Sequence, residues 1–267
     1  MAELFINCAG MLLLGVGVGL ISGSLGLGGG VIMVPAFLTF VPGMDPHTAK
    51  GTSLCIIVFV ALLNAWRLNR GLAHKPWRLA GLLAAGSIAG GYTGAWVTAQ
   101  LPEQAVLWLF MALVAVFGVR TFFLQPPEVD AAQVRRRFLL PLCIGFAAGV
   151  VGGATGTGGG AVLVPLTLFA ALTVNARVTG LSNMVMVATS LAGTLAHLRA
   201  EPVFPGQWVV GHVYLYVVPF VFAGAQIGSP VGTRLNARLT LSRRRVVLGA
   251  LLLLIAARIL YRLLFLS

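Results

Sequence analysis

Apolar runs separated by short polar connectors set the pattern of this chain. Residues 4–24, 28–42, 50–66, 79–99 and 104–124 read as helical segments, and the pattern returns as 138–155, 158–172, 179–198, 208–233 and 245–266. A helix that crosses a bilayer needs about 20 consecutive apolar residues, so several crossings are available. The expected class is an all-α polytopic membrane protein.

The second set of segments repeats the first. Sliding the chain by 130 positions lays GSLGLGGGVIMVP, residues 23–35, on GATGTGGGAVLVP, residues 153–165. Gly51, Thr52 and Ser53 then match Gly180, Leu181 and Ser182; Gly90 and Gly94 match Gly224 and Gly228; Arg120 matches Arg258. A repeat this long is too large for a solenoid unit and fits the internal duplication of secondary transporters. The expected division is a first transmembrane repeat at 1–124, a basic cytoplasmic linker at 125–137 and a second repeat at 138–267. Five segments per copy is an odd number, which predicts two inverted repeats, each with a Gly-broken helical hairpin.

Charge supports the inversion. The connector after the third segment holds Arg67, Arg70, Lys75 and Arg78, whereas its counterpart holds Arg199 against Glu201. One segment later the bias swaps: Glu103 faces Arg234, Arg238, Arg243, Arg244 and Arg245. Basic loops stay cytoplasmic, which puts the linker with Arg135 to Arg137 inside and both termini outside. The composition agrees with a multi-pass membrane protein: 58% hydrophobic and 9% charged residues over 267 positions, with mean hydropathy +0.97. The net charge of +12 is thus a topology signal and not a nucleic-acid footprint. Cys8, Cys55 and Cys143 are scattered without paired spacing, so neither metal nor cofactor is expected.

Three consecutive glycines inside apolar segments imply helix breaks, since glycine costs about 1 kcal/mol relative to alanine in a helix. A break at membrane depth must be buried by protein or line a polar cavity. Separate glycine pairs such as Gly90 with Gly94 serve close helix packing. The clusters Gly26, Gly28, Gly29, Gly30 and Gly156, Gly158, Gly159, Gly160 exceed what packing needs, and the helix that leaves each one points backbone N–H groups and a positive dipole end at the break. Such an end suits an anion. Ser24, Thr155 and Thr157 beside the breaks, and Thr52, Ser53, Ser182 and Asn183 at the start of the next helices, add neutral donors. Each of these polar groups is equally able to bond its own helix carbonyls.

All six carboxylates fall at the N-terminus or in connectors, and without an intramembrane acid a cation relay has no candidate. Protons remain the candidate coupling ion through His197 or His212, although both lie near segment ends, where a structural histidine at the interface is the simpler reading. Arg120 and Arg258 suit snorkelling, with anion attraction at Arg258 the alternative. Lys50 and Arg177 precede the Thr52 and Ser182 helices, where a cation would line an access vestibule or serve as an ordinary loop charge.

The doubled string G-x-GGG-x-x-x-VP, with AKGTSL following the first copy and VTGLSN the second, resembles the TauE/SafE family of sulfite and organosulfonate exporters. The resemblance implies a permease, not an enzyme, for a small sulfur oxyanion or sulfonate, with Gly26, Gly28, Gly29, Gly30, Pro35, Gly156, Gly158, Gly159, Gly160 and Pro165 as its motif residues. Export by alternating access around a central site is expected, with Leu at Gly29 or Gly159 abolishing flux in a folded protein. The lipid bilayer and a second copy of the chain are the further candidate partners. The rivals are a passive anion channel, an intramembrane enzyme, which lacks a G-x-S-x-G or HExxH string, and a non-transporting scaffold.

Overall fold

The computed structural model describes residues 2–25, 29–71, 76–123, 129–134, 137–203, 208–238 and 241–265. They form ten helices: α1 (Ala2–Leu25), α2 (Gly30–Phe40), α3 (Pro46–Asn69), α4 (Trp77–Ala99), α5 (Glu103–Phe123), α6 (Leu139–Thr155), α7 (Gly160–Phe169), α8 (Asn175–Leu198), α9 (Val217–Arg238) and α10 (Leu241–Phe265). The only sheet among the described residues is a two-stranded hairpin, β1 (Val209–Val210) with β2 (Val213–Tyr214). Three of the helices, 46–69, 103–120 and 175–198, are long and apolar enough to cross a membrane. Large apolar side chains cover the outside, and all five tryptophans are exposed, as a lipid-facing surface requires.

Local chemistry sets the helix starts. The Asp45 carboxylate accepts from the His47 and Thr48 N–H groups at 2.8 and 2.9 Å, and Pro46 sits at the first helical position. This cap and proline together start α3 four residues before the expected 50, and α8 likewise starts at Asn175, not at 179. The expected helix 208–233 is the clearest departure. Its first residues form the hairpin, in which Val209 pairs with Tyr214 and Val210 with Val213 around Gly211 at φ 57. β-branched and aromatic residues flanking a positive-φ glycine favour a turn over a helix.

Glycine controls the helix contacts. A Cβ on Gly86, Gly90 or Gly94 of α4 would meet the Leu142, Phe146 or Val150 carbonyl of α6, and one on Gly145 or Gly149 would meet the Leu83 or Ser87 carbonyl in return. The same arrangement joins α1 to α9, with Gly15 against Val221, Gly19 against Ala225, Gly224 against Leu12 and Gly228 against Val16. Contacts therefore make Gly86 equivalent to Gly224 and Gly90 to Gly228, one helical turn from the sequence match of Gly90 with Gly224. Equivalent positions lie 129 apart at Ser53 and Ser182 but 138 apart at Gly86 and Gly224, and the nine extra residues fall where the hairpin is. Residue numbers rise together along α1 with α9 and along α4 with α6, so each pair is parallel. The equivalent helices α3 and α8 are antiparallel, with Gly51 against His197 and Gly180 against Asn69.

The largest apolar core gathers Phe37, Ile57, Phe110, Val221 and Ile255, and a second holds Leu83, Ile144, Leu163 and Leu181. Between α5 and α6, the Val129 N–H donates to Asn175 Oδ1 at 2.9 Å, which ties this connector to the start of α8.

Gly90→Leu forces a side chain into the Phe146 backbone. Overpacking of about 1–3 kcal/mol lowers the melting midpoint by roughly 2–10 °C. Gly81→Leu, with open space around its Cβ position, leaves the midpoint in place in the same thermal assay.

Candidate functional site

The helices that leave the glycine clusters are short. At about 1.5 Å rise per residue, α2 and α7, of 11 and 10 residues, cover about half of the roughly 30 Å bilayer core. Gly29 and Gly159 cap them in the left-handed region, at φ 76 and 82, a conformation that glycine adopts without a Cβ penalty. The N–H groups of Gly156, Thr157 and Gly158 all donate to the Gly152 carbonyl, so they close the end of α6 and do not point freely at a ligand.

The two breaks meet. A Cβ on Gly30 would lie 2.6 Å from the Thr157 Cα and from Ile57 Cδ1, and Ile57 stands midway along α3. Around this contact the second break is packed on all sides. Gly156 lies on the Lys50 backbone, Gly158 on Ser190 Oγ and Ile57, Gly159 on the Ala148 carbonyl, and Gly160 on Met186 Sδ and Ser182. The fit corrects one expectation. A leucine at Gly159 meets both a positive φ and the Ala148 backbone, so it damages the fold as well as the site.

The hydroxyls hold the break in place. Ser53 Oγ donates to the Gly156 carbonyl at 2.8 Å. Thr155 Oγ1 donates to the Val151 carbonyl at 2.6 Å and pairs with Thr157 Oγ1 at 2.8 Å. Thr52 Oγ1 accepts from the Tyr214 N–H at 2.9 Å, fastening the β-hairpin to α3. Asn183 Nδ2 donates to the Thr179 carbonyl, while its Oδ1 is buried without a partner. Ser182 is buried beside Gly160. Ser24 lies in α1, but its side chain, like the whole of Gly26 and Gly28, is outside the described residues.

The expected cations separate. Lys50 is inside the second turn of α3, not ahead of the helix; it is 0% exposed, and its Nζ has no hydrogen-bond partner among the described residues. Arg177 is also inside its helix but exposed, as is Arg258 on α10. Arg120 is half-buried with its guanidinium 5.8 Å from the Phe169 ring centre, which fits snorkelling.

Around Lys50 stands a group that sequence reading assigned elsewhere or passed over. His197, taken as interfacial, is 0% exposed, and its Nδ1 lies 3.2 Å from Nδ1 of His212. The His47 ring centre is 5.1 Å from that of His212. Asp45, taken as a connector residue, is buried, with Oδ2 unpartnered. Ser190 Oγ and Thr194 Oγ1 on α8 are likewise buried and unpartnered. Burial pushes the His212 imidazole below its usual range, against the opposing pull of Asp45. The Asp45–Pro46 cap was the readable signal for the α3 residues. Nothing in the sequence placed His197 beside them.

A family model described as Sulfite exporter TauE/SafE matches residues 11–259. The chain belongs to that family. TauE/SafE proteins are membrane transporters and not enzymes, and the curated relatives of this transporter carry the same general description. A probable membrane transporter protein of Xylella fastidiosa is 27% identical over 92% of each chain. One from Bacillus subtilis is 25% identical over 94% of this chain and 96% of its own, and one from Methanocaldococcus jannaschii is 22% identical over 91% of both. No solved structure matches. In the TauE/SafE chain, Lys50 combines a backbone contact with the Gly156 break, full burial and an ammonium without a hydrogen-bond partner among the described residues.

A buried cation without a partner costs stability, about 1–3 kcal/mol or more. Lys50→Met therefore raises the melting midpoint by roughly 2–10 °C while abolishing transport. A fall in both would mean that Lys50 is structural.

Proposed function

We propose that this transporter is a secondary carrier that moves small sulfur-containing anions, such as sulfite or an organosulfonate, out across the cell inner membrane, by alternating access around the meeting point of the two glycine breaks. The observation that carries this reading is the buried Lys50, whose Cα and Cβ lie against Gly156 and whose ammonium has no hydrogen-bond partner among the described residues. A buried charge persists where a ligand of opposite sign completes it, and Asn183, Ser190 and Thr194 supply further buried polar atoms on the facing helix.

Two inverted halves are the matching architecture. The antiparallel contact of α3 with its counterpart α8 supports inversion, since a two-fold axis in the membrane plane reverses equivalent helices. The parallel pairs α1 with α9 and α4 with α6 exchange partners between copies, as such an axis requires. The first and second repeats, 1–124 and 138–267, are on this reading the units that rock, with 125–137 the cytoplasmic linker. Close packing at Gly30, Thr157 and Gly158 favours a carrier that must move over an open anion pore.

The test is flux in proteoliposomes of labelled sulfite, sulfoacetate, isethionate, thiosulfate and sulfate. Saturable, exchangeable movement of one sulfur anion supports the carrier, and single-channel currents would replace it with a pore. No movement of any probe removes sulfur anions from the reading. Ser53→Ala frees the Gly156 carbonyl and slows flux by up to about tenfold, the kinetic equivalent of a hydrogen bond of about 0.5–1.5 kcal/mol.

A further inference from the structure

We propose that Lys50 and the imidazoles of His47, His197 and His212 form the coupling centre of this transporter, which takes up one proton with each monovalent anion. The inference rests on the anion reading above and adds the coupling ion and the residues that carry it.

The charge balance of the site leads there. The buried groups that face one another are Asp45, His47 and Lys50 at the start of α3, His197 at the end of α8, and His212 on the hairpin; the Tyr214 phenol follows on β2, while Glu201 and Arg199 beside them are exposed. Lys50 interacts electrostatically with Asp45, His47 and His197. With Lys50 and Asp45 ionised and the imidazoles neutral, the state on which the proposal rests, the centre has no net charge. A monovalent anion brought to Lys50 adds one negative charge to a buried region, where an unbalanced charge costs several kcal/mol. A proton arriving on an imidazole nitrogen cancels it.

The geometry also limits the count to one. Nδ1 of His197 and Nδ1 of His212 face each other at 3.2 Å, so one nitrogen donates and the other accepts. The pair can hold one added proton on its outer nitrogens, and Nε2 of His197 is unpartnered. A second proton would set two imidazolium rings, centred 5.4 Å apart, against each other and against Lys50. The resting His212 is held neutral by burial, so an arriving anion, which favours the charged form, is what triggers uptake.

The duplication argues for function in place of packing. At the register of Ser53 with Ser182, the counterparts of Asp45, His47, Lys50 and His197 are Val174, Ala176, Thr179 and Leu68. The other end of the α3–α8 pair is closed by Asn69, whose Nδ2 donates to the Ala65 and Gly180 carbonyls. The same helix pair thus packs at one end without a buried ionisable cluster among the described residues.

The test uses proteoliposomes of the full chain with an internal pH dye, equal pH on both sides and labelled isethionate or sulfite added outside. Isethionate is the decisive probe, because a sulfonate carries no proton of its own near neutral pH. The expected result is acidification in step with isethionate uptake, at about one proton per anion, with a rate that does not change when the membrane potential is clamped. His197→Gln lowers the proton-to-anion ratio toward zero, and His47→Gln serves the same purpose if the first variant does not fold. Isethionate uptake without acidification, or a ratio unchanged in both variants, overturns the coupling centre and leaves the anion carrier standing. Sulfite uptake without isethionate uptake is read from the same ratio in the two variants. Absence of flux for both probes removes the anion reading and the coupling with it.

Discussion

The close approach of Gly30 to the Thr157 backbone is the contact on which the centre of the bundle depends. It needs a residue without a side chain at the first position of α2, and it brings two interrupted helices from opposite halves of the chain to the middle of α3. Once that contact is made, Gly156 is pressed onto Lys50, and the Ser53 hydroxyl finds the Gly156 carbonyl. Polar backbone left over by a broken helix cannot stay unpaired in an apolar interior. Gly152 accepts from the Gly156, Thr157 and Gly158 N–H groups, and Ser53 donates to the Gly156 carbonyl.

The outer helices follow the same rule in a simpler form. α1 and α9, and α4 and α6, approach along glycine-lined faces where carbonyls of one helix lie in the space a side chain would take on the other. Without a hydrophobic driving force between helices in lipid, such close van der Waals contact is a main source of association. The apolar side chains are left to face outward, as the exposed tryptophans do.

Much of this was legible in the sequence. The order of ten segments and the breaks at Gly29 and Gly159 follow from apolar periodicity and consecutive glycines. The register of α4 on α9 was missed by one turn, because glycines recur every four residues in both helices and a sequence match cannot tell one turn from the next. The β-hairpin was hidden by its apolar residues, since Val209 to Tyr214 suits a helix window as well as a strand. The polar cluster was the least readable part. His47 and His197 are 150 positions apart and become neighbours only because α3 and α8 run antiparallel; no local pattern reports that. Lys50 was seen as a cation, but its burial depended on a helix that starts at the Asp45 cap.

The hairpin gives the two ends of the duplicated bundle different mechanical properties. The Tyr214 N–H holds Thr52 on α3, and the His212 N–H holds the His197 carbonyl on α8. One strip of chain therefore bridges both central helices at one end. The two ends of the α3–α8 pair are thus fastened unequally among the described residues: one carries a latch of backbone hydrogen bonds, and the other is closed by the Asn69 side chain. On the rocking motion proposed above, opening that end breaks these two bonds, so the proposed carrier has a preferred facing when empty.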